Sequence, residues 1–371
     1  MPRNAPHKIR DCSKVNLRSV PFEKEVKIAV IGAGAIGGII AGFIKRAGYD
    51  VEVACKHQGL AGKISSGQLH IFGKMGDFRI AIPAKAKISE LSGPKDIVFL
   101  AVKAQDVPDA ARELLPLLSD KSIVISMQNG MSTDTIIDLL GPARTVGCVM
   151  DWGATMHSPG ELEMTAKGGF AIGYIDIKPD ERLHLLKQVL GTVLPVEITC
   201  NIRGKKYYKL MVNSCINSMG VISGLKLGKM FSIRKIRTIF SEITREAMAV
   251  ANAMGLRPEP ISGKLDYYKW LHGAGVFDDL KLQLLSHIIE VMYRTLKSSS
   301  LQSFERGKPT EIDYLNAYIA DKGKKHNIPT PVNNKIVEIV KDIEAGRRRV
   351  TLDNLNDRFF ARFEQHKPQL T

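Results

Sequence analysis

The stretch Lys27-Ile28-Ala29-Val30-Ile31-Gly32-Ala33-Gly34-Ala35-Ile36-Gly37-Gly38 constrains this chain more than any other. The branched apolar run Ile28–Ile31 has the length of a buried parallel strand and leads directly into glycines spaced Gly-x-Gly-x-x-Gly. From Ala35 to Ala47 the pattern turns helical, with Ile36, Ile39, Ile40 and Phe43 on one face and Gly48 as a stop. Each glycine then has a physical role. Gly32 allows a tight turn, Gly34 lets backbone approach a pyrophosphate, and Gly37 lets helix pack closely on strand. The helix start, with Ala33, Ala35 and Ile36, offers N–H groups to phosphate. Such a glycine triplet is common by itself. Between a strand and a helix, with a second strand following, it predicts a dinucleotide site.

The second strand is expected within Tyr49–His57. The residue at its end meets the adenosine ribose; an acid there favours NAD and a base accommodates the 2′-phosphate of NADP. Lys56 with His57 occupies that place, while Glu52 lies too early, so the pattern predicts NADP. Short strands follow over Gln68–Phe72 and Phe78–Ile82, readable as a hairpin around Gly73 and Gly76. A buried strand over Asp96–Val102 delivers Lys103, and another over Ser122–Met127 delivers Asn129, with a helix from Pro108 to Leu118 between them. Ligands of open α/β sheets bind at carboxyl ends of strands, so Lys103 and Asn129 are site candidates. Asn129-Gly130 is also a favoured turn pair. Short glycine-containing strands fill Arg144–Tyr174, then a helix over Glu181–Leu190 and an extended run over Val193–Thr199.

Beyond Cys200 long helical periods replace strands, roughly Arg203–Ile222, Ile233–Met254, Leu280–Lys297, Glu311–Lys325 and Asn333–Ala345. A helical domain beside a nucleotide domain would place the site in the cleft between them. Lys209, Asn213 and Asn217 recur every fourth residue and so share one helix face. Asn is a poor helix-interior residue, so a cation aligned with two amides needs a reason: a site, buried partners, or a solvated stripe. Thr310 with Asp313 reads as a capping box, which would put Glu311 in the first turn of a helix.

Composition sets limits. The chain has 371 residues, enough for two domains, and a formal net charge of +15. No helix-turn-helix, zinc spacing or aromatic–basic stacking motif accompanies that charge, so nucleic acid is not the expected partner; positive steering of anionic ligands is the simpler use. The five cysteines are scattered, none in Cys-x-x-Cys, and the nine histidines form no metal-binding motif. Reduced thiols, no metal and a cytoplasmic setting are expected. Residues 1–25 are basic and polar without the apolar core of a secretory signal, and read as a flexible tail. No apolar run approaches the roughly 20 residues of a membrane span.

Taken in order, Gly32-x-Gly34-x-x-Gly37, Val102-Lys103-Ala104, Asn129-Gly130-Met131, Lys209-x-x-x-Asn213-x-x-x-Asn217, Gly307-Lys308-Pro309-Thr310-Glu311-Ile312-Asp313 and His326-Asn327-Ile328-Pro329-Thr330-Pro331-Val332-Asn333 resemble the ketopantoate reductase (2-dehydropantoate 2-reductase) family over about Lys27–Ala345. The resemblance implies an α/β N-terminal Rossmann domain followed by an all-α C-terminal domain of the 6-phosphogluconate dehydrogenase C-terminal-like kind. The limits expected are a basic extension over 1–25, the NADP-binding domain over 26–200, the helical catalytic domain over 201–346 and a C-terminal extension over 347–371. It implies NADPH-dependent reduction of 2-dehydropantoate to pantoate, on the way to pantothenate and coenzyme A. Lys209 matches the family's catalytic lysine and Glu311 its substrate-binding carboxylate, and the two are expected to act as the catalytic pair. Asn213, Asn217 and Ser299 match substrate-binding residues. Lys103 and Asn129 match residues lining the nicotinamide and substrate side, and Lys56 the base for the 2′-phosphate.

The chemistry fits those residue types. Hydride transfer to a ketone builds negative charge on oxygen, and Lys209 can both stabilise that charge and supply the proton. Where the family commonly has Met, Asp, Gly, Pro and an aromatic, this chain has Ser300, Ser303, Ala317, Ser218 and Gln105. These departures leave open a different branched 2-oxo acid as substrate. A non-catalytic NADP-binding sensor is a further alternative, and monomer and homodimer both remain open.

Overall fold

The structure is a computed structural model. It describes residues 25–175, 177–260 and 296–361, so the N-terminal tail and nearly all of the helix expected over Leu280–Lys297 lie outside the described residues. The chain divides into two compact units, Met1–Lys206 and Tyr207–Thr371.

The first unit runs β1 (Lys27–Ile31), α1 (Ala35–Arg46), β2 (Asp50–Ala54), α2 (Gln58–Ser65), β3 (Leu69–Gly73), β4 (Phe78–Ile80), β5 (Ala84–Lys85), β6 (Lys95–Leu100), α3 (Val107–Leu114), β7 (Leu118–Ser126), α4 (Thr133–Leu140), β8 (Thr145–Met150), β9 (Gly153–Ser158), β10 (Glu161–Ala166), β11 (Phe170–Tyr174), α5 (Glu181–Gly191) and β12 (Val196–Ile198). An eight-stranded sheet has the order β12-β11-β8-β7-β6-β1-β2-β5. Its pairs are parallel except β8 with β11. The chain builds outward from β1 in one direction through β2, then returns to β6 on the other side. The switch in direction therefore falls beside β1, where open α/β sheets leave a crevice at the carboxyl ends.

Amphipathic periodicity predicts one buried face for α1, yet every residue from Gly37 to Ile44 is buried. A second sheet, β4-β3-β10-β9, covers the face opposite β1. The expected hairpin does form between β3 and β4, but in this second sheet, where β3 also pairs in parallel with β10. Its approach depends on two further glycines. A Cβ on Gly38 would stand 2.4 Å from Leu162 Cδ1, and one on Gly42 2.1 Å from Ile71 Cδ1. Ile39, Ile40 and Ile44 are wholly buried, each contributing about 1.5–3 kcal/mol.

Within the main sheet an ion pair joins β2 and β6, the strands on either side of β1. Lys95 is 2% exposed, and its Nζ donates to Glu52 Oε2 and to Ser92 Oγ. Burial pushes the Glu52 pKa up, but the hydrogen bonds from Lys95 and Ser92 outweigh it and hold the carboxyl below the ordinary glutamate value.

α6 (Ile202–Ser223) crosses the division between the units. In the second unit it is followed by α7 (Leu227–Ser232), α8 (Arg234–Ala253), α9 (Ser299–Glu305), α10 (Asn316–Lys325), α11 (Pro331–Glu344) and α12 (Arg358–Ala361). No described residue of this unit lies in a strand. Its core gathers Met219, Ile222, Phe240, Ile243, Ile336 and Ile339. Leu355 and Phe360, beyond the expected limit at 346, lie in the same core. Arg347 and Arg348 pair with Asp342, and Arg348 also reaches Asp357. Buried Glu246, on α8, caps α11 from outside: it accepts from Val332 N (2.8 Å), Asn333 N (2.9 Å) and Asn333 Nδ2 (2.8 Å). Among the described residues no helix is long and apolar enough to cross a membrane.

One local expectation fails. The helix expected from Glu311 begins at Asn316, after a 3₁₀ turn over Ile312–Tyr314 and a break at Leu315 (φ −116°, ψ −99°). No capping box forms. Thr310 Oγ1 accepts from Ile312 N at 3.3 Å, while Asp313 is drawn to Lys341 Nζ at 2.6 Å. A charge-assisted bond to another helix thus replaces the local cap.

Glu52 and Glu246 each carry a stability prediction. The Glu52 contribution is complete above its unfolded value near 4.5 and disappears as pH falls through its lowered folded value. Urea unfolding of Glu52→Gln between pH 7 and pH 3 should lack that acid-dependent component and show a loss of about 2–4 kcal/mol at neutral pH, where Lys95 stays buried without its counter-ion. Glu246→Ala should lose about 2–4 kcal/mol, because it strands the N–H groups at the start of α11.

Candidate functional site

At the β1–α1 turn, the glycines have unequal reasons to be glycine. Gly32 has φ +103°, and a Cβ there would stand 2.8 Å from the Ala101 carbonyl. A Cβ on Gly37 would stand 1.9 Å from Gly32 O. Gly34 is different: its φ is −71°, and nothing lies within 4 Å of where its Cβ would be. No protein contact excludes a side chain at Gly34, so the open space in front of it fits close approach by a ligand. The first turn of α1 has no side-chain cap and no acid. Ala33 is buried, and Gly34, Ala35 and Ile36 are half-buried around this helix start. Such a cradle fits a pyrophosphate.

Lys56 stands two residues beyond β2, largely exposed, with Nζ donating to Asp106 Oδ1 at 2.9 Å. Lys103 is exposed beyond β6, and Asn129 half-buried beyond β7. Sequence reasoning missed the polar tie beneath them. The Gln128 carboxamide, buried, donates to Leu100 O (2.6 Å) and Val102 O (2.9 Å) and accepts from Ser126 Oγ (3.0 Å). Buried Lys206 donates to Gln128 O (3.2 Å) and Cys148 O (3.4 Å). These bonds join the carboxyl ends of β6, β7 and β8. The only sequence signal was Gln128's position next to Asn129.

In the second unit, the Lys209–Asn213–Asn217 stripe is not a solvated one. Lys209 and Asn213 are half-buried and Asn217 is 4% exposed. Ser299 Oγ donates to Asn217 Oδ1 at 3.3 Å. Ser298 caps α9 by accepting from Leu301 N, and Gly220 lets it approach α6: a Cβ there would lie 2.3 Å from Ser298 Oγ. The other end of the Asn217 amide, Nδ2, is buried with no hydrogen-bond partner. A buried unpaired donor carries a desolvation cost of about 1–3 kcal/mol, which a ligand acceptor would relieve. Glu311 is half-buried at the start of the 3₁₀ turn, where its side chain forms no cap. Its position is thus not explained by helix capping, as the sequence had allowed.

Among the described residues no group of His, Cys, Asp and Glu could hold a metal. Cys55, Cys148 and Cys215 are free and buried; Cys12 lies outside the described residues.

The glycine geometry separates fold from binding. Gly34→Ala should unfold at nearly the wild-type temperature yet lose at least about tenfold in dinucleotide affinity, since its Cβ meets only ligand space. Gly37→Ala should lower the melting temperature markedly, because its Cβ meets backbone. Thermal unfolding and coenzyme fluorescence titration check both.

Known proteins resemble this chain over most of its length. Family models described as ketopantoate reductase PanE/ApbA and ketopantoate reductase PanE/ApbA C terminal match residues 28–176 and 201–344. A 2-dehydropantoate 2-reductase of Pyrococcus horikoshii is 29% identical, covering 86% of this chain and 98% of the relative. One from Mesorhizobium japonicum is 26% identical over 87% of this chain and 99% of its own length. Among solved structures, a PanE/ApbA family ketopantoate reductase from Ralstonia eutropha JMP134 has a TM-score of 0.73 at 26% identity, covering 87% of this chain and 99% of that one. A D-mandelate dehydrogenase solved with NADH and anilino(oxo)acetate shares the fold, with a TM-score of 0.73 at 20% identity over 86% of this chain and 99% of its own. Matched by the family models in both units, the chain belongs to the ketopantoate reductase family.

Proposed function

We propose that this chain reduces 2-dehydropantoate to pantoate with NADPH, a step toward pantothenate and coenzyme A. The observation that carries the reading is the Asn217 amide: one end accepts from Ser299, and the other is a buried donor without a partner. A substrate carboxylate or carbonyl oxygen would complete it. The names of the relatives and the ordered motifs support the same substrate.

NADPH, when bound, supplies the hydride. The turn from Gly32 to Gly37 holds the pyrophosphate, with Ala33, Ala35 and Ile36 contributing backbone, and Lys56 takes the 2′-phosphate. Lys103 and Asn129 line the nicotinamide side. Lys209 donates its proton to the ketone oxygen and stabilises the charge growing there. Glu311 accepts from the substrate hydroxyl, while Asn213, Asn217 and Ser299 orient the oxo acid. These roles need no metal.

A second reading, reduction of another branched 2-oxo acid, is favoured by Ser300. Its hydroxyl is buried without a partner where the family commonly has Met.

NADPH consumption with 2-dehydropantoate, with NADH and a panel of branched 2-oxo acids as comparisons, tests both. The highest kcat/KM should fall on 2-dehydropantoate. Lys209→Ala should lower turnover by about a thousandfold or more while NADPH still binds. Near-wild-type turnover in that variant would remove Lys209 from the mechanism.

A further inference from the structure

Asp106 stands at the position preceding α3, where an aspartate ordinarily accepts from the first-turn N–H groups. Its side chain makes no such bond. Oδ1 instead accepts from Lys56 Nζ at 2.9 Å, fifty positions away in sequence. The turn that carries it is held locally, with Asp106 N donating to Lys103 O at 2.9 Å.

The location of the pair gives it a function. β2 and β6 flank β1 in the main sheet. Lys56 follows β2 and Asp106 follows β6, so the ion pair links the segments leaving the sheet on either side of the glycine turn. The Lys56 side chain is 76% exposed and that of Asp106 32%. An ion pair this exposed adds little to folding stability. The end of the second strand is where the adenosine ribose lies. A 2′-phosphate is an anion that Lys56 attracts and Asp106 repels. A 2′-hydroxyl is a donor that a carboxylate accepts from.

We propose that Asp106 is a coenzyme-selectivity residue: its carboxylate competes with a 2′-phosphate for Lys56 and accepts from a 2′-hydroxyl, so the chain takes NADH as well as NADPH. This rests on the nucleotide reading of the Gly32–Gly37 turn. Lys56 alone would make the site strongly selective for NADPH. With Asp106 paired to it, binding of the phosphate must displace one anion and tolerate it close by, whereas binding of NADH leaves the pair in place.

The test is direct titration of NADPH and NADH, read by fluorescence, with wild-type protein, Asp106→Asn and Lys56→Gln. Wild type should bind both coenzymes. Asp106→Asn should bind NADPH about three- to tenfold more tightly and NADH within about twofold of wild type. The gain should shrink at about 0.5 M salt, where exposed charges are screened. Lys56→Gln should weaken NADPH and spare NADH. Asp106→Ser, which retains an oxygen able to cap α3, should repeat the direction seen with Asn. If the ratio of the two dissociation constants is unchanged in Asp106→Asn and Asp106→Ser, or wild type binds NADPH alone, this proposal falls and the dinucleotide reading stands. If wild type binds neither coenzyme, the dinucleotide reading falls and this proposal with it.

Discussion

The approach of α1 to its own turn governs the first unit. At Gly37 the carbonyl oxygen of Gly32 stands where a Cβ would be, so only a hydrogen fits. That closeness seats α1 against β1. Gly38 and Gly42 then allow the second sheet to close on the helix from the other side. Glycines in a helix interior cost about 1 kcal/mol each in backbone freedom. Burial of Ile39, Ile40 and Ile44 between the two sheets outweighs that cost. The same packing leaves the first-turn N–H groups of α1 without a side-chain cap at the mouth of the sheet.

Polar groups finish what packing begins. Gln128 uses both amide hydrogens and its oxygen within the protein, and Lys206 reaches the carbonyls of Gln128 and Cys148. The strand ends beside Asn129 are therefore fixed by satisfied buried groups, which rigidify a site. Asn217 presents the opposite case. Half of its amide is satisfied by Ser299, and the other half is a buried donor left open. A satisfied amide supports structure, while a half-satisfied one is suited to a ligand.

The helical unit solves a different problem. Its α11 begins with Pro331, and the N–H groups of Val332 and Asn333 are met by Glu246 from α8 instead of a local cap. Asp313, expected to cap its own helix, goes instead to Lys341 on α11. Charged side chains here join helices to one another, and local capping rules lose to those tertiary bonds.

What could be read without coordinates was what repeats locally. The apolar run of β1, the glycine spacing, the strands delivering Lys103 and Asn129, and the four-residue spacing of Lys209, Asn213 and Asn217 are short-range patterns fixed by strand and helix periods. The helical texture beyond Cys200 was legible for the same reason. Tertiary structure decided whatever depends on partners far apart in the chain. β3 pairs with β10 across some ninety residues, and this sheet changes α1 from half-buried to enclosed. The diversion of Asp106 from its helix to Lys56 joins residues fifty positions apart. The break at Leu315 and the open Nδ2 of Asn217 likewise arise from which distant groups arrive, and no local period encodes that. The sequence determined which elements form and which residue types they carry; packing between distant segments determined which of those residues are held, covered or left with a bond to make.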